Sequence, residues 1–222
     1  MDHFNAYRQK RTLRQLFSGL VFFFILFVGW YIPFLGYFIP LCMLLGIGLG
    51  VSRGRKWCDW YCPRGSFYDT YASRISPQRK IPAVVRNLYF RIGIIALLLG
   101  IMTYNLVVRW PHAAAIGRFF VIMVGATTVL GVTLALVFHQ RTWCLFCPIG
   151  TIIKTAGRGR NTLEIDSGLC VECKLCAKVC PVQIRPYAFK AEGKRTVADA
   201  DCLRCGMCVA VCPKHALQFR KA

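Results

Sequence analysis

A chain of 222 residues with 56% hydrophobic side chains carries more apolar surface than one small soluble core can hide. Its net charge of +20, from 29 Lys/Arg against 9 Asp/Glu, gathers near the ends of apolar runs, where positive-inside bias and anionic headgroups account for it, so a membrane is the expected partner and nucleic acid is not.

Residues 1–15 read as a basic cytoplasmic tail with Arg8, Lys10, Arg11 and Arg14. Near-continuous apolar runs follow at Leu16 to Ile32, Phe34 to Val51, Leu88 to Val108 and Phe119 to Phe138, and a membrane span needs about 20 such residues. Four transmembrane helices are expected. The first two are separated only by the turn around Pro33, so they form a helical hairpin, with a re-entrant segment as the alternative. A cleaved signal peptide fits poorly, because hydrophobicity returns at once and no small-residue cleavage site precedes it.

The segment after the second run carries Arg53, Arg55, Lys56, Arg64, Arg74, Arg79, Lys80 and Arg86, and that after the fourth carries Arg141, Lys154, Arg158 and Arg160; the opposite side shows Arg109 and Arg118. By the positive-inside rule both termini, the central loop and the C-terminal segment are cytoplasmic.

The membrane half is internally repeated. After the second run stands Trp57-Cys58-Asp59-Trp60-Tyr61-Cys62-Pro63-Arg64-Gly65-Ser66, and after the fourth Trp143-Cys144-Leu145-Phe146-Cys147-Pro148-Ile149-Gly150-Thr151. Both motifs leave the membrane on one side, so the repeats relate by an axis along the membrane normal that brings Cys58, Cys62, Cys144 and Cys147 together. Three readings stay open there: a shared iron or iron-sulfur site, two redox-active dithiols, or structural cysteines. Ser66 and Thr151 read as N-caps of short helices, and Trp57, Trp60, Tyr61 and Trp143 as interfacial anchors.

The C-terminal 60 residues carry the most specific signal. Cys170, Cys173, Cys176 and Cys180-Pro181, then Cys202, Cys205, Cys208 and Cys212-Pro213, write C-x2-C-x2-C-x3-C-P twice. That is the run for paired [4Fe-4S] clusters in which each fourth cysteine serves the other cluster. The expected ligand sets are Cys170, Cys173, Cys176 and Cys212 for one cluster, and Cys202, Cys205, Cys208 and Cys180 for the other. Zinc ribbons use paired thiols but not this repeated run with trailing prolines. A disulfide framework would need an oxidising compartment. Lys174, Lys178, Arg204 and Lys214 either raise the cluster potentials or form a basic surface. Leu163 to Asp166 and Ala216 to Arg220 read as strands, Glu192-Gly193-Lys194 as a turn.

Several weaker signals complete the chain. Gly46, Gly48 and Gly50 suit close helix packing better than dinucleotide binding. No histidine stands inside facing spans to ligate haem. His112 reads as an interfacial loop residue, Cys42 as a small buried residue, and Asn105 as a bond across helices.

The expected fold is therefore a mainly α membrane protein, with four transmembrane helices as two tandem helix pairs plus a small C-terminal α+β ferredoxin domain of the bacterial two-cluster type. Its parts are the tail at 1–15, a first helix pair with a Cys-x3-Cys-Pro loop at 16–82, a second with a Cys-x2-Cys-Pro loop at 83–161, and the ferredoxin domain at 162–222.

On Cys58 to Pro63 and the double ferredoxin run, the chain resembles the membrane-bound polyferredoxin-like family of NapH, MauN, NosR and CcoG type, with NapH nearest in size and order. The second loop departs from the family pattern by one residue. The resemblance implies quinol-linked electron transfer to partner redox subunits (cytochromes or iron-sulfur proteins) in a bacterial or archaeal cytoplasmic membrane. The chain would then be an electron-transfer subunit of a quinol-dehydrogenase type of oxidoreductase. The alternative it allows is a redox accessory that supplies electrons to the maturation of a metalloenzyme.

Overall fold

The computed structural model describes residues 2–190 and 194–220. Helix α1 (Asp2–Tyr31), α2 (Phe38–Arg53), α5 (Leu88–Val108) and α6 (Ala113–Val137) are the long elements. Each is long and apolar enough to cross a membrane. Their outward faces carry Phe17, Phe27, Tyr104 and Val129, all more than two-thirds exposed, as lipid-facing side chains are in a bundle whose backbone is satisfied internally.

Residues 2–15 differ from the tail read in the sequence. They are the first turns of α1, and three of their polar side chains are committed to partners. Gln15 is buried, and Tyr7 and Arg11 bond to the cysteine-bearing segments described below. Long-range contacts of this kind, invisible in a window of sequence, turn a basic stretch into a helix.

Pro33 starts a single 3-10 turn, Pro33–Tyr37, that reverses the chain between α1 and α2. That turn packs on α6 through a close approach of two glycines, beside Tyr37, whose ring meets Phe120. A Cβ on Gly36 would strike the Gly117 backbone, and one on Gly117 would strike the carbonyl of Pro33. The glycines of α2 act similarly but not between spans: Gly46 faces the Trp57 ring, Gly50 faces Ile153, and Gly48 faces open space.

Short helices follow each second span. After α2 come α3 (Lys56–Trp60) and α4 (Pro63–Thr70), and after α6 come α7 (Thr142–Phe146) and α8 (Pro148–Ala156). The first span of each pair packs on its own loop helix, α1 on α4 and α5 on α8. The second span crosses over: α2 packs on α8, and α6 meets α4 where Gly131 admits the Tyr68 ring. This exchange interlocks the two pairs at the end of the bundle that carries the loops.

The C-terminal unit is a three-stranded antiparallel sheet in the order β2-β1-β3, formed by β1 (Leu163–Asp166), β2 (Lys194–Thr196) and β3 (Leu217–Phe219), with α9 (Leu175–Lys178) and α10 (Met207–Val211) in the cysteine runs. Leu163 and Ile165 point inward while Glu164 and Asp166 do not, the alternation of a half-buried strand. Of the turn read at Glu192-Gly193-Lys194, the first two residues lie outside the described residues, and Lys194 opens β2 instead. The segment between the runs meets the membrane half: Gln183 accepts from the Ile81 amide at 3.0 Å, and Arg86 donates to the Val182 carbonyl at 2.7 Å. Arg204, one of the four basic residues near the cysteines, is tied to the carbonyls of Arg53 and Gly157, so it docks the unit and does not join a free basic surface.

Replacing Gly117 with Leu is expected to force the 3-10 turn off α6, lowering stability by about 1–3 kcal/mol, as overpacking against backbone does. The fall in thermal midpoint in detergent measures it, and the same change at Gly48 should leave the midpoint nearly unmoved.

Candidate iron-sulfur sites

The two cysteine runs share one backbone conformation. Glu172, Lys174 and Gln183 have φ of 52°, 63° and 57°, and at the same offsets in the second run Arg204, Gly206 and His215 have 54°, 83° and 51°. Five of these six are not glycine, and a left-handed residue without glycine is strained unless its surroundings demand it. Alternating handedness of this kind turns successive amides inward and forms an anion-binding concavity. The amides of Ala177 and Tyr187 face Cys176, that of Met207 faces Cys205, and Ile184 donates to the Cys180 sulfur at 3.3 Å. Inward N–H groups are what the sulfurs of an anionic cluster require.

Each run closes around a cavity of ≈ 20 Å³. One is lined by Cys170, Cys173, Cys176 and Cys212, the other by Cys180, Cys202, Cys205 and Cys208. The donor set, the cavities and the inward amides fit a cubane in each. Burial pushes the Cys202, Cys205 and Cys208 thiols up, and Cys180 up to about 11. Bound iron supplies the charge that lets such thiols ligate as thiolates.

The cavities differ in position. Cys173 is exposed, beside exposed Leu169, Val171 and Lys174. Cys205 is buried against the membrane half: its carbonyl accepts from the Tyr7 hydroxyl at 2.8 Å, and Asp59 and Arg11 lie within its electrostatic reach. The first cavity is therefore distal, the second proximal to the bundle.

At the end of the bundle the repeat loops converge. Cys58 is within electrostatic reach of Cys147, Cys144 of both Cys58 and Cys147, and Cys62 of Cys58 and Cys144. Burial raises all three thiols, against the pull of Arg55 on Cys58, of the Gly65 amide on Cys62 and of Arg141 on Cys144. The helix starts differ from the sequence reading. Cys62 and Cys147 are themselves the N-caps of α4 and α8, with Pro63 and Pro148 at the first helical position, while Ser66 and Thr151 lie inside those helices. Proline is favoured there because its missing N–H would be unsatisfied anyway. The Cys62 sulfur accepts from the Gly65 amide at 3.4 Å.

The unequal loop lengths are absorbed locally. The Cys147 amide donates to the Trp143 carbonyl at 3.0 Å, and the Cys62 amide to the matching Trp57 carbonyl at 2.9 Å across one more residue. The additional Tyr61 stacks on Trp57 with ring centroids 5.8 Å apart. Among the described residues no group of three or more His, Cys, Asp and Glu closes around a single metal ion.

Two arginines cross between the loops. Arg55 donates to the Cys144 carbonyl at 2.7 Å, and Arg141 to the Cys58 carbonyl at 3.0 Å. Both are buried, at 1% and 0% exposure. Arg141 pairs with Asp69 through Nε at 2.6 Å and Nη2 at 2.7 Å and with Asp59 at 3.2 Å; Arg11 pairs with the same two carboxylates, and Gln15 donates to Asp69 at 3.0 Å. Burial alone would raise Asp69, but these partners hold it well below the usual carboxylate range. Nothing in composition marks Asp59, Asp69 or Arg141 as members of the site. The available signal was four oppositely charged residues beside cysteine motifs in a chain short of acids.

Two remaining expectations meet different environments. Asn105 bonds within its own helix, to the Ile101 carbonyl and Arg109, and not across helices. Cys42 lines an apolar cavity together with Cys62. That cavity, ≈ 170 Å³, lies between the spans; Phe22, Ile39, Leu98, Met102 and Met123 form its walls, and Trp57, Cys62, Arg64, Trp143 and Cys147 its end.

Comparison with known proteins agrees with this chemistry. A 4Fe-4S dicluster domain model matches residues 162–213, and a 4Fe-4S binding domain model matches twice, at 35–82 and 119–165. The double match coincides with the internal repeat. The uncharacterized protein MJ0749 of Methanocaldococcus jannaschii is 26% identical over 151 residues, 64% of this chain and 57% of its own. The uncharacterized protein MJ0750 of the same organism is 28% identical over 147 residues, 60% of each. The chain thus spans about three-fifths of these curated relatives. No solved structure matches it. Iron-sulfur binding of the ferredoxin type is thereby supported in both halves of the chain.

Arg141→Met leaves Asp59 and Asp69 sharing only Arg11 in a buried setting, and removing one partner of such a network costs about 3–5 kcal/mol. Denaturation in detergent should show a loss of that size, and Arg141→Met combined with Asp69→Leu should recover part of it.

Proposed function

We propose that this iron-sulfur protein is a membrane-anchored electron-transfer subunit of NapH-like type, exchanging electrons between a lipid-soluble quinone or quinol and partner redox proteins. In this reading the distal cluster is held by Cys170, Cys173, Cys176 and Cys212, and the proximal one by Cys202, Cys205, Cys208 and Cys180. A third centre is shared by Cys58, Cys62, Cys144 and Cys147, since each loop alone offers two thiols and a cubane needs four ligands.

The observation that carries the reading is the apolar cavity ending on Cys62 and Cys147. Two residues at that end have donors with no partner: Arg64 Nη2 and Trp143 Nε1 are buried and unbonded. A buried orphan donor calls for an explanation, and a ligand with an apolar tail and carbonyl oxygens supplies one. The Arg64 guanidinium stacks over Trp143 at 4.6 Å and donates from Nε to the Tyr68 hydroxyl at 3.2 Å, so it is held at the cavity end. Its charge suits an acceptor that gains electron density on reduction.

The clusters, when bound, supply one-electron steps. The residues of the chain supply the placement. The apolar walls take the tail, Arg64 and Trp143 orient the head toward Cys62 and Cys147, and the exposed loop at Cys173 leaves the far end of the sequence of centres open to a partner. In this reading both chain termini and the cluster-bearing end of the bundle face the cytoplasm, which the gathering of Lys and Arg at that end supports.

Two experiments test the reading. A short-chain quinol added to the cluster-loaded chain in nanodiscs should reduce the clusters, and Arg64→Leu should slow that reduction by roughly 10–100-fold; unchanged EPR signals with intact clusters would falsify the quinol role. For the ligand sets, Cys176→Ser and Cys212→Ser should each disturb the same EPR signal, and Cys180→Ser the other one. Loss of one signal by Cys176→Ser and of the other by Cys212→Ser would sink the crossed assignment.

A further inference from the structure

The two repeats supply their buried arginines differently. Arg141, three residues before Cys144, takes both its carboxylates from the first repeat, Asp59 and Asp69. Arg55, three residues before Cys58, has no such acid to take from the second. Where the first repeat has Asp59 after Cys58, the second has Leu145 after Cys144; where the first has Asp69 four residues after Gly65, the second has Lys154 four after Gly150.

The missing acid comes from another part of the chain. Asp201, one residue before Cys202, is 4% exposed and enters the second repeat. Its carboxylate accepts from Arg91 at 2.9 and 2.8 Å, from Lys154 at 3.0 Å and from Arg55 at 3.2 Å, and its carbonyl accepts from Arg55 at 3.3 Å. Arg91 is 1% exposed and is anchored in turn on the Val85 carbonyl at 3.0 Å. Arg55 also donates to the Cys144 carbonyl at 2.7 Å and lies within hydrogen-bond reach of the Cys58 thiol.

A continuous bonded route therefore runs from Cys202 through Asp201 and Arg55 to both membrane loops. The buried Arg55 and Arg91 and the partly exposed Lys154 would repel one another without a carboxylate, so the second repeat is electrostatically incomplete until the C-terminal unit docks.

We propose that Asp201 is a positioning residue that completes the second repeat and fixes the proximal cluster against the thiol centre at Cys58, Cys62, Cys144 and Cys147, so that electrons pass in either direction between the site of Cys202 and that centre across the Asp201–Arg55 contact. This rests on the reading of those four cysteines as a redox centre. Asp69 and Asp201 are then equivalent in charge but not in role. One joins the two repeats to each other; the other reports that the ferredoxin unit is seated.

The test uses the full chain with its clusters loaded in nanodiscs, electrons supplied by a photoreductant, and rapid-freeze EPR at the membrane centre with iron counted per chain. Asp201→Asn should keep its iron and the two ferredoxin signals while electron arrival at the centre slows by roughly 10–100-fold, as misplacement of reacting groups does. Arg91→Gln, which touches no cysteine, should do the same and covers a failure of the first variant to assemble. Adding Lys154→Asp to Asp201→Asn returns an acid to the position matching Asp69, which pairs Arg55 again but leaves the unit untethered, so arrival should stay slow. Wild-type arrival rates in Arg91→Gln or in iron-replete Asp201→Asn overturn the proposal, as does full recovery with Lys154→Asp. A wild-type chain whose iron is limited to the two ferredoxin clusters removes the centre itself and overturns the underlying reading as well.

Discussion

Two buried guanidinium groups hold the loop end of this bundle together, each reaching from one repeat to the cysteine carbonyl of the other. A charge out of water is tolerated only when paired and fully hydrogen-bonded. That requirement decides where a third of the scarce acids must go: of nine Asp/Glu, Asp59, Asp69 and Asp201 stand against Arg55 and Arg141. At the loop end these three carboxylates are shared among five cations, Arg11, Arg55, Arg91, Arg141 and Lys154, so each acid there answers more than one charge.

The large features were legible in the sequence because each is local. Four apolar runs, the doubled Trp-Cys and Cys-Pro loop and each copy of the ferredoxin run fit within windows of about 20 residues, and the spans and the strands β1 and β3 follow those windows. What stayed hidden depends on separation. The helical state of residues 2–15 rests on bonds from Tyr7 to Cys205 and from Arg11 to Asp59, and no local pattern contains either. The capping roles of Cys62 and Cys147 were displaced onto Ser66 and Thr151 because hydroxyls are the usual caps, whereas here proline at the first helical position fixes the start four residues earlier in both loops. Asn105 was misread for the opposite reason, since its partners are nearer than a neighbouring helix.

The repeat is an approximate one, and its departures are informative. One additional residue in the first loop is accommodated by a wider turn that stacks Tyr61 on Trp57, with the anchoring bond to the tryptophan carbonyl kept in both loops. Substitution of Asp59 and Asp69 by Leu145 and Lys154 at the matching positions could not have been tolerated in an exact two-fold assembly, because it would leave Arg55 buried without a counter-charge. The asymmetry gives the acid of the ferredoxin unit partners in one orientation only, with Asp201 on Arg55, Arg91 and Lys154.

The contact of Tyr7 with the proximal cysteine loop has a consequence for access. Gly206 holds a left-handed backbone against the Tyr7 ring, with no room for a side chain between them, so α1 covers the loop that carries Cys205. The distal loop has no such cover at Cys173. Solvent therefore reaches Cys173 directly and Cys205 only when α1 and the C-terminal unit part.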